Sequence, residues 1–415
     1  MRKIQKGYRW LTVAGSMVIG LLGGLIYAWS IFVRPVCAAY GWETNQVVLM
    51  GNVMMACFSV GTFLGGLIWP RCGLRRTGVL GTVLFSGAVV CAAYAPSPAA
   101  MYLSWGVAGG VGIGILYSIG MYAASAWFPK KRGSVMSLFL MCFGLAPTVL
   151  AKPLTVLLTQ LGVRHTMLGL GVSLFVVLGG ISAFLMRMPP ATWGAAPAAQ
   201  AAPQAMTPCT LREAVRTGTF WLFAGGIFCL TSPYAFINSF TTVYAVDYRG
   251  LSGAQAVWIV SAAGLGAAGG RLLGGVVSDR RGCRTAVALA CLSSMTSCVL
   301  LLLCSGFWGV LLAFVLVSVG FGLRAPVYGL WPVDRFGAET AGSVYGAASL
   351  AAIPAVLLAP MLTAAASYPV STVCAFLAAI LGLAAFLATP RYTPLMRKNG
   401  LKPNNLECCG ADGRR

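Results

Sequence analysis

Three cations interrupt apolar stretches long enough to cross a bilayer: Lys152, Arg271 and Arg324. An arginine keeps its proton in any protein environment. A cation facing hydrocarbon at mid-membrane costs between about 3 and 10 kcal/mol or more, so each of the three needs a compensating partner. The chain's acids are Glu43, Glu213, Asp247, Asp279, Asp334, Glu339, Glu407 and Asp412, and all fall in loops, at the ends of apolar runs or in the tail. None shares a depth with the cations. The chemistry this pattern supports is capture of an anion from solution. A guanidinium suits a carboxylate because its planar fork donates two parallel hydrogen bonds.

Arg271 lies eight residues before Asp279, about 12 Å along a helix and near the middle of an apolar core about 30 Å thick. Helical spacing gives it a face of small residues, Gly264, Ala267, Ala268, Gly274, Gly275 and Ser278, while Leu265, Leu272, Leu273 and Val276 point elsewhere. Arg324 shares its face with Gly320, Phe321, Val327 and Tyr328. Its alternative role is to donate to carbonyls freed by Pro326, or to sit in a gate. Lys152 lies on a stripe with Thr148, Thr155 and Thr159; its alternative is to snorkel toward the outer interface. The walls of an anion site are expected from Tyr27, Tyr117 and Tyr328, with Asn52 and Asn238 as further candidates.

Catalysis has nothing to stand on. No Ser/His/Asp set, paired carboxylates or metal-ligand cluster occurs at depth, so neither an enzyme, a metal nor a cofactor is expected. The glycine-rich "GVAGGVGIG" falls inside an apolar run, where glycines permit close helix packing. The 14 cysteines are mostly single and inside such runs. Cys408 and Cys409 sit in the basic tail.

The elements that position these residues follow from composition. The 415 residues are 58% hydrophobic and 9% charged, against roughly 25% charged in soluble domains. Twelve apolar runs of spanning length recur between residues 9 and 389, which predicts an all-α polytopic membrane protein. The net charge of +21 is no nucleic-acid signature. Most Lys and Arg fall in alternate loops and tails, including Arg71, Arg75, Arg76, Lys130, Lys131, Arg132, Arg280, Arg281 and Arg284. That asymmetry predicts both termini in the cytoplasm, in a cell inner membrane, with lipid as the surrounding partner and a monomer as the working unit.

The chain also repeats itself. "GGLIWPRCGLRR" and "GGVVSDRRGCR" place Gly66 and Gly275 209 residues apart, and Gly133 and Gly342 share that offset. Two six-span bundles in tandem are the expectation: residues 1–187 and 218–390, a Pro/Ala-rich linker with a short interfacial helix at 188–217, and a tail at 391–415. Thr210 and Glu213 have capping-box spacing at the start of that interfacial helix. A site between tandem bundles can open alternately to either side. The loops after spans two and eight would then lock one state, through Gly66, Arg71, Gly73, Arg75, Asp279, Arg280 and Gly282.

"GGVVSDRRGCR" is similar to the signature loop of the major facilitator superfamily, with Pro70 standing where the first copy usually has an acid. "YAWSIFVRP", "GVGIGILY" and "WFPKKRG" together resemble the oxalate–formate antiporter family, which is related to the monocarboxylate transporters. That resemblance implies a twelve-helix major facilitator fold, a substrate-binding arginine at Arg271 and tyrosines of spans one, four and ten around it. Some members add a lysine in span eleven; the corresponding place, near Ala352, is small and apolar. The expected activity is alternating-access transport of a small mono- or dicarboxylate, by anion exchange. Proton-coupled symport and a non-transporting sensor on a carrier fold are the alternatives.

Overall fold

The computed structural model describes residues 2–128, 131–189, 210–238, 241, 244–356 and 368–389. No strand occurs among them. Lipid offers the backbone no hydrogen bonds, so spanning segments satisfy theirs internally as helices. In the first half, α1 (Arg2–Gly23) passes through a 3-10 turn into α2 (Trp29–Tyr40). It is followed by α3 (Thr44–Cys72), α4 (Leu74–Ala93), α5 (Pro98–Met101), a π-type turn, α6 (Gly110–Ala126) and α7 (Arg132–Gly180). The second half contains α8 (Leu211–Val215), α9 (Gly218–Asn238), α10 (Gly253–Arg281) and α11 (Cys283–Leu303). It ends with α12 (Phe307–Phe336), α13 (Ala338–Ser349) and α14 (Tyr368–Ala388).

Ten helices among the described residues are long and apolar enough to cross a membrane. The α7 element contains two expected spans, turned at Gly162 (φ 72°, ψ 173°). The expected seventh and eleventh spans are Gly218–Asn238 and the shorter apolar helix Thr340–Val356, each bordering residues outside the described set. With these two the helices make up the twelve-span arrangement of two bundles. Most of the linker (190–209) and the tail with Cys408 and Cys409 lie outside the described residues.

Local chemistry sets the helix ends. A reciprocal capping box joins Thr210 and Glu213 at the start of α8. There Glu213 accepts from Thr210 N–H at 2.8 Å and from its hydroxyl at 3.0 Å, which holds the Glu213 carboxyl below its usual range. Ser252 and Gln255 form the same box before α10. The repeat is visible in the backbone: Gly73 (φ 80°, ψ 156°) and Gly282 (φ 85°, ψ 163°) stand 209 residues apart, in a region open essentially only to glycine. Each turns the chain from one span directly into the next.

The bundles meet along two seams, α7 against α10 and α3 against α13. At the end bearing the basic loops, both are tight. A Cβ on Gly275 would overlap Ser137 Oγ and the Gly133 carbonyl, and one on Gly66 would overlap the Gly342 carbonyl. Asp279 accepts from Gly133 N–H at 2.9 Å, Ser134 N–H at 2.8 Å and Ser134 Oγ at 2.6 Å. Tyr122 donates across the seams to the Ala341 carbonyl at 3.2 Å. Toward the other end the α7–α10 seam is looser: a Cβ on Gly264, eleven residues before Gly275, would meet nothing within 4 Å. Not every residue expected to lock this closure does so. Arg71, Arg75 and Arg280 are exposed and form no hydrogen bond across the seams among the described residues. Their long side chains remain hydrated on the basic surface.

Candidate functional site

Above the closed basic end lies a cavity of about 320 Å³ between the bundles. Glycines set its cationic wall. A Cβ on Gly270 would overlap the Val319 carbonyl, one on Gly274 the Leu323 carbonyl, and one on Gly322 would crowd the Ala267 carbonyl at 2.5 Å. The backbones of α10 and α12 therefore touch, and Arg271 and Arg324 project from adjacent helices into one space. Both line the cavity, 6% and 3% exposed respectively. Their guanidinium carbons stand 5.5 Å and 4.8 Å from the centroid of a single ring, Phe321, on which Tyr234 stacks at 3.9 Å.

The two arginines differ in how far the protein satisfies them. Arg324 Nη1 donates to Tyr328 Oη at 3.2 Å and to Thr231 Oγ1 at 3.4 Å, while its Nη2 is buried with no partner. Arg271 donates to no other described residue, and neither arginine has a carboxylate partner among them. Arg271 reaches across to α7, where Gly144 makes room for it: a Cβ there would coincide with Nη1.

The opposite wall is aromatic. Tyr27, Phe58, Tyr117 and Phe143 line it in mutual contact. Phe58 meets Tyr117 edge-on at 5.0 Å, and Phe143 meets Tyr117 and Tyr27 at 5.2 Å and 5.5 Å. A Tyr117–Tyr345 hydrogen bond joins the bundles, about one turn farther from the basic end than the Tyr122–Ala341 bond.

The structure thus brings Arg271, Arg324, Tyr27, Tyr117, Tyr328 and Asn52 into one cavity lining. The side chain of Asn238 lies outside the described residues. Lys152 corrects an expectation: it is exposed and does not line the cavity. It stands eight residues beyond Gly144 on the same helix, about 12 Å farther from the basic end, with its side chain on the outer surface of the bundle. Gly144, Thr231, Tyr234 and Tyr345 escaped the sequence reading. Phe321 was placed on the Arg324 face by its spacing, but its contact with Arg271 was not. Ala352 lines the cavity and contributes only a methyl group there.

The Major Facilitator Superfamily model matches residues 16–360. The protein named "Uncharacterized MFS-type transporter YhjX", from Escherichia coli (strain K12), is 23% identical over 283 residues, covering 66% of this chain and 66% of that protein. Monocarboxylate transporter 11 of Homo sapiens is 26% identical over 276 residues, 66% of this chain and 57% of that one. The Oxalate:formate antiporter of Oxalobacter formigenes is 27% identical over 192 residues, 44% of each chain. These matches span between 44% and 66% of the relatives' own length. Among solved structures, the proton:xylose symporter XylE bound to 6-bromo-6-deoxy-D-glucose superposes with a TM-score of 0.72 at 15% identity, covering 96% of this chain and 100% of that one. That likeness concerns the fold alone. Family match, helical architecture and solved-structure likeness agree: the chain belongs to the major facilitator superfamily and has the fold of a membrane transporter.

Proposed function

We propose that this transporter carries a small organic anion, a mono- or dicarboxylate, by alternating access around Arg271. The observation carrying the reading is a guanidinium 6% exposed that donates to no other described residue. A buried cation without a mate is expensive, and a carboxylate from solution supplies the two acceptors its fork requires. The relatives named for monocarboxylates and for oxalate and formate support the same class. In this reading the basic end faces the cytoplasm of a cell whose inner membrane holds the protein, with both termini inside. The structure then represents the state closed inward and open outward. The working division is residues 1–187 and 218–390 as the two moving bundles, in a monomer.

Exchange follows from charge. Closing an empty cavity would bury two unpaired cations, whereas an anion neutralises part of that charge before the bundles rock. Among the described residues no Asp, Glu or His lines the cavity to carry a coupled proton there, which favours exchange over proton symport. The test is uptake of labelled carboxylates into liposomes containing the purified protein, with and without internal carboxylate, comparing wild type with Arg271→Gln. Truncating one partner of a buried charge pair costs about 2–5 kcal/mol, so the variant should lose at least about thirtyfold. Undiminished flux in Arg271→Gln would overturn the site. Uptake that follows a pH gradient and needs no internal anion would replace exchange with symport.

A further inference from the structure

The cavity's two walls are chemically unequal. All its charge comes from the second bundle, through Arg271 and Arg324. The first bundle lines it with Tyr27, Phe58, Tyr117 and Phe143, together with Leu140 and Met55, and with only Asn52 and Ser59 as other polar groups. The edge-to-face ring contacts described above make that wall a pre-formed carbon surface. The cavity's size, about 320 Å³, falls in the range of ligand pockets that enclose molecules well beyond a few heavy atoms, about 300–1,000 Å³.

A compact dianion would meet the cations and leave the ring wall facing water. An extended dicarboxylate would press its second charge against those rings, where no cation waits. Arg324 is already engaged through Nη1 by Tyr328 and Thr231, so among the described residues Arg271 is the site's one wholly uncommitted fork. The arrangement pairs a single strong carboxylate anchor with an apolar counter-wall.

Resting on the carboxylate reading above, we infer that the preferred substrate is an amphiphilic monocarboxylate. Its carboxylate engages Arg271, and its branched or aromatic body lies against the ring wall of the first bundle. Each methylene moved from water to that wall strengthens binding about fourfold, so a benzyl or 3-methylbutyl body should outweigh a methyl group by at least about tenfold.

The experiment is thermal unfolding of the full-length purified protein titrated with phenylacetate, 4-methylpentanoate, acetate, oxalate and succinate, with neutral phenylacetamide as the uncharged control. Phenylacetate and 4-methylpentanoate should bind at least about tenfold tighter than acetate, oxalate or succinate, and phenylacetamide should give no shift. The ranking is read on wild type and does not depend on a variant folding. As a second measurement, Phe58→Leu should weaken phenylacetate about three- to tenfold and acetate by less than half that factor. Oxalate or succinate binding tighter than phenylacetate, and losing that binding in Arg271→Gln, would overturn this inference while the carboxylate reading stands. Absence of binding by every acid, or binding indifferent to Arg271→Gln, would overturn both.

Discussion

The two seams that close the basic end are copies of one geometry with different chemistry. In both, glycine meets glycine: Gly275 against Gly133 and Gly66 against Gly342. Among the described residues, charged side chains cross only the α7–α10 seam. Asp279 crosses it to the first turn of α7, and two turns deeper Arg271 crosses it to Gly144. Among the described side chains none with a charge crosses the α3–α13 seam: Pro70 stands where the repeat places Asp279, and Thr62, 209 residues before Arg271, bonds the Phe58 carbonyl at 2.9 Å. Duplication preserved the close backbone approach at both seams, while the charged side chains that cross between the bundles, among the described residues, belong to one of them.

The largest test of that division is Gly144→Ala. The new Cβ would occupy the position of Arg271 Nη1, so carboxylate binding should fall about as far as in Arg271→Gln, by about thirtyfold or more. Glycine to alanine inside a helix ordinarily stabilises by about 1 kcal/mol. Lost binding in a protein that is no less stable to heat is therefore the distinguishing result. Gly66→Ala on the neutral seam crowds closure but touches no ligand group, and carboxylate affinity should survive it. Equal loss in both variants would mean the seams are not functionally distinct.

Next in size is Asp279→Asn. Asp279 sits in the last turn of α10, where its own helix dipole disfavours an anion. The unpaired N–H groups at the start of α7 more than offset this. Removing the charge should weaken the closed state by about 1–2 kcal/mol, a five- to thirtyfold shift in population. Hydrogen exchange at the Gly133 and Ser134 amides should accelerate accordingly, with carboxylate affinity little changed.

These effects also mark how much could be read in advance. Arg271 was legible because a lone permanent charge in an apolar run has few explanations. The repeat was legible because glycines at fixed offsets impose the same turn twice, as Gly73 and Gly282 do. Gly144 was not: its significance depends on which helix lies opposite, and a glycine in an apolar run gives no sign of that. Phe58 and Phe143 read from sequence as ordinary apolar residues, since a ring facing a cavity and a ring facing lipid have the same composition. Lys152 shows the converse limit. Spacing fixed its place along the helix but not that its side chain lies on the outer surface, away from the cavity.

The smallest expected effect is the sharpest for the comparison. Pro70→Asp restores an acid to the neutral seam, and simple repeat logic says it should build a second latch. The helix opposite argues otherwise. The α7 helix begins at Arg132, leaving Gly133 and Ser134 in its open first turn. In repeat register α13 begins about one turn earlier, at Ala338, and the Ala341 amide already bonds the Gly337 carbonyl at 3.0 Å. Gly342 and Ser343 therefore lie past the free amides, with no N–H to offer. An aspartate at position 70 would meet the unfavourable end of its own helix without the compensation Asp279 receives. Closure of Pro70→Asp should match wild type within about 0.5 kcal/mol, read as unchanged exchange at the α13 amides. Slowed exchange there, by tenfold or more, would show that the missing carboxylate alone accounts for the asymmetry and that the helix start does not matter.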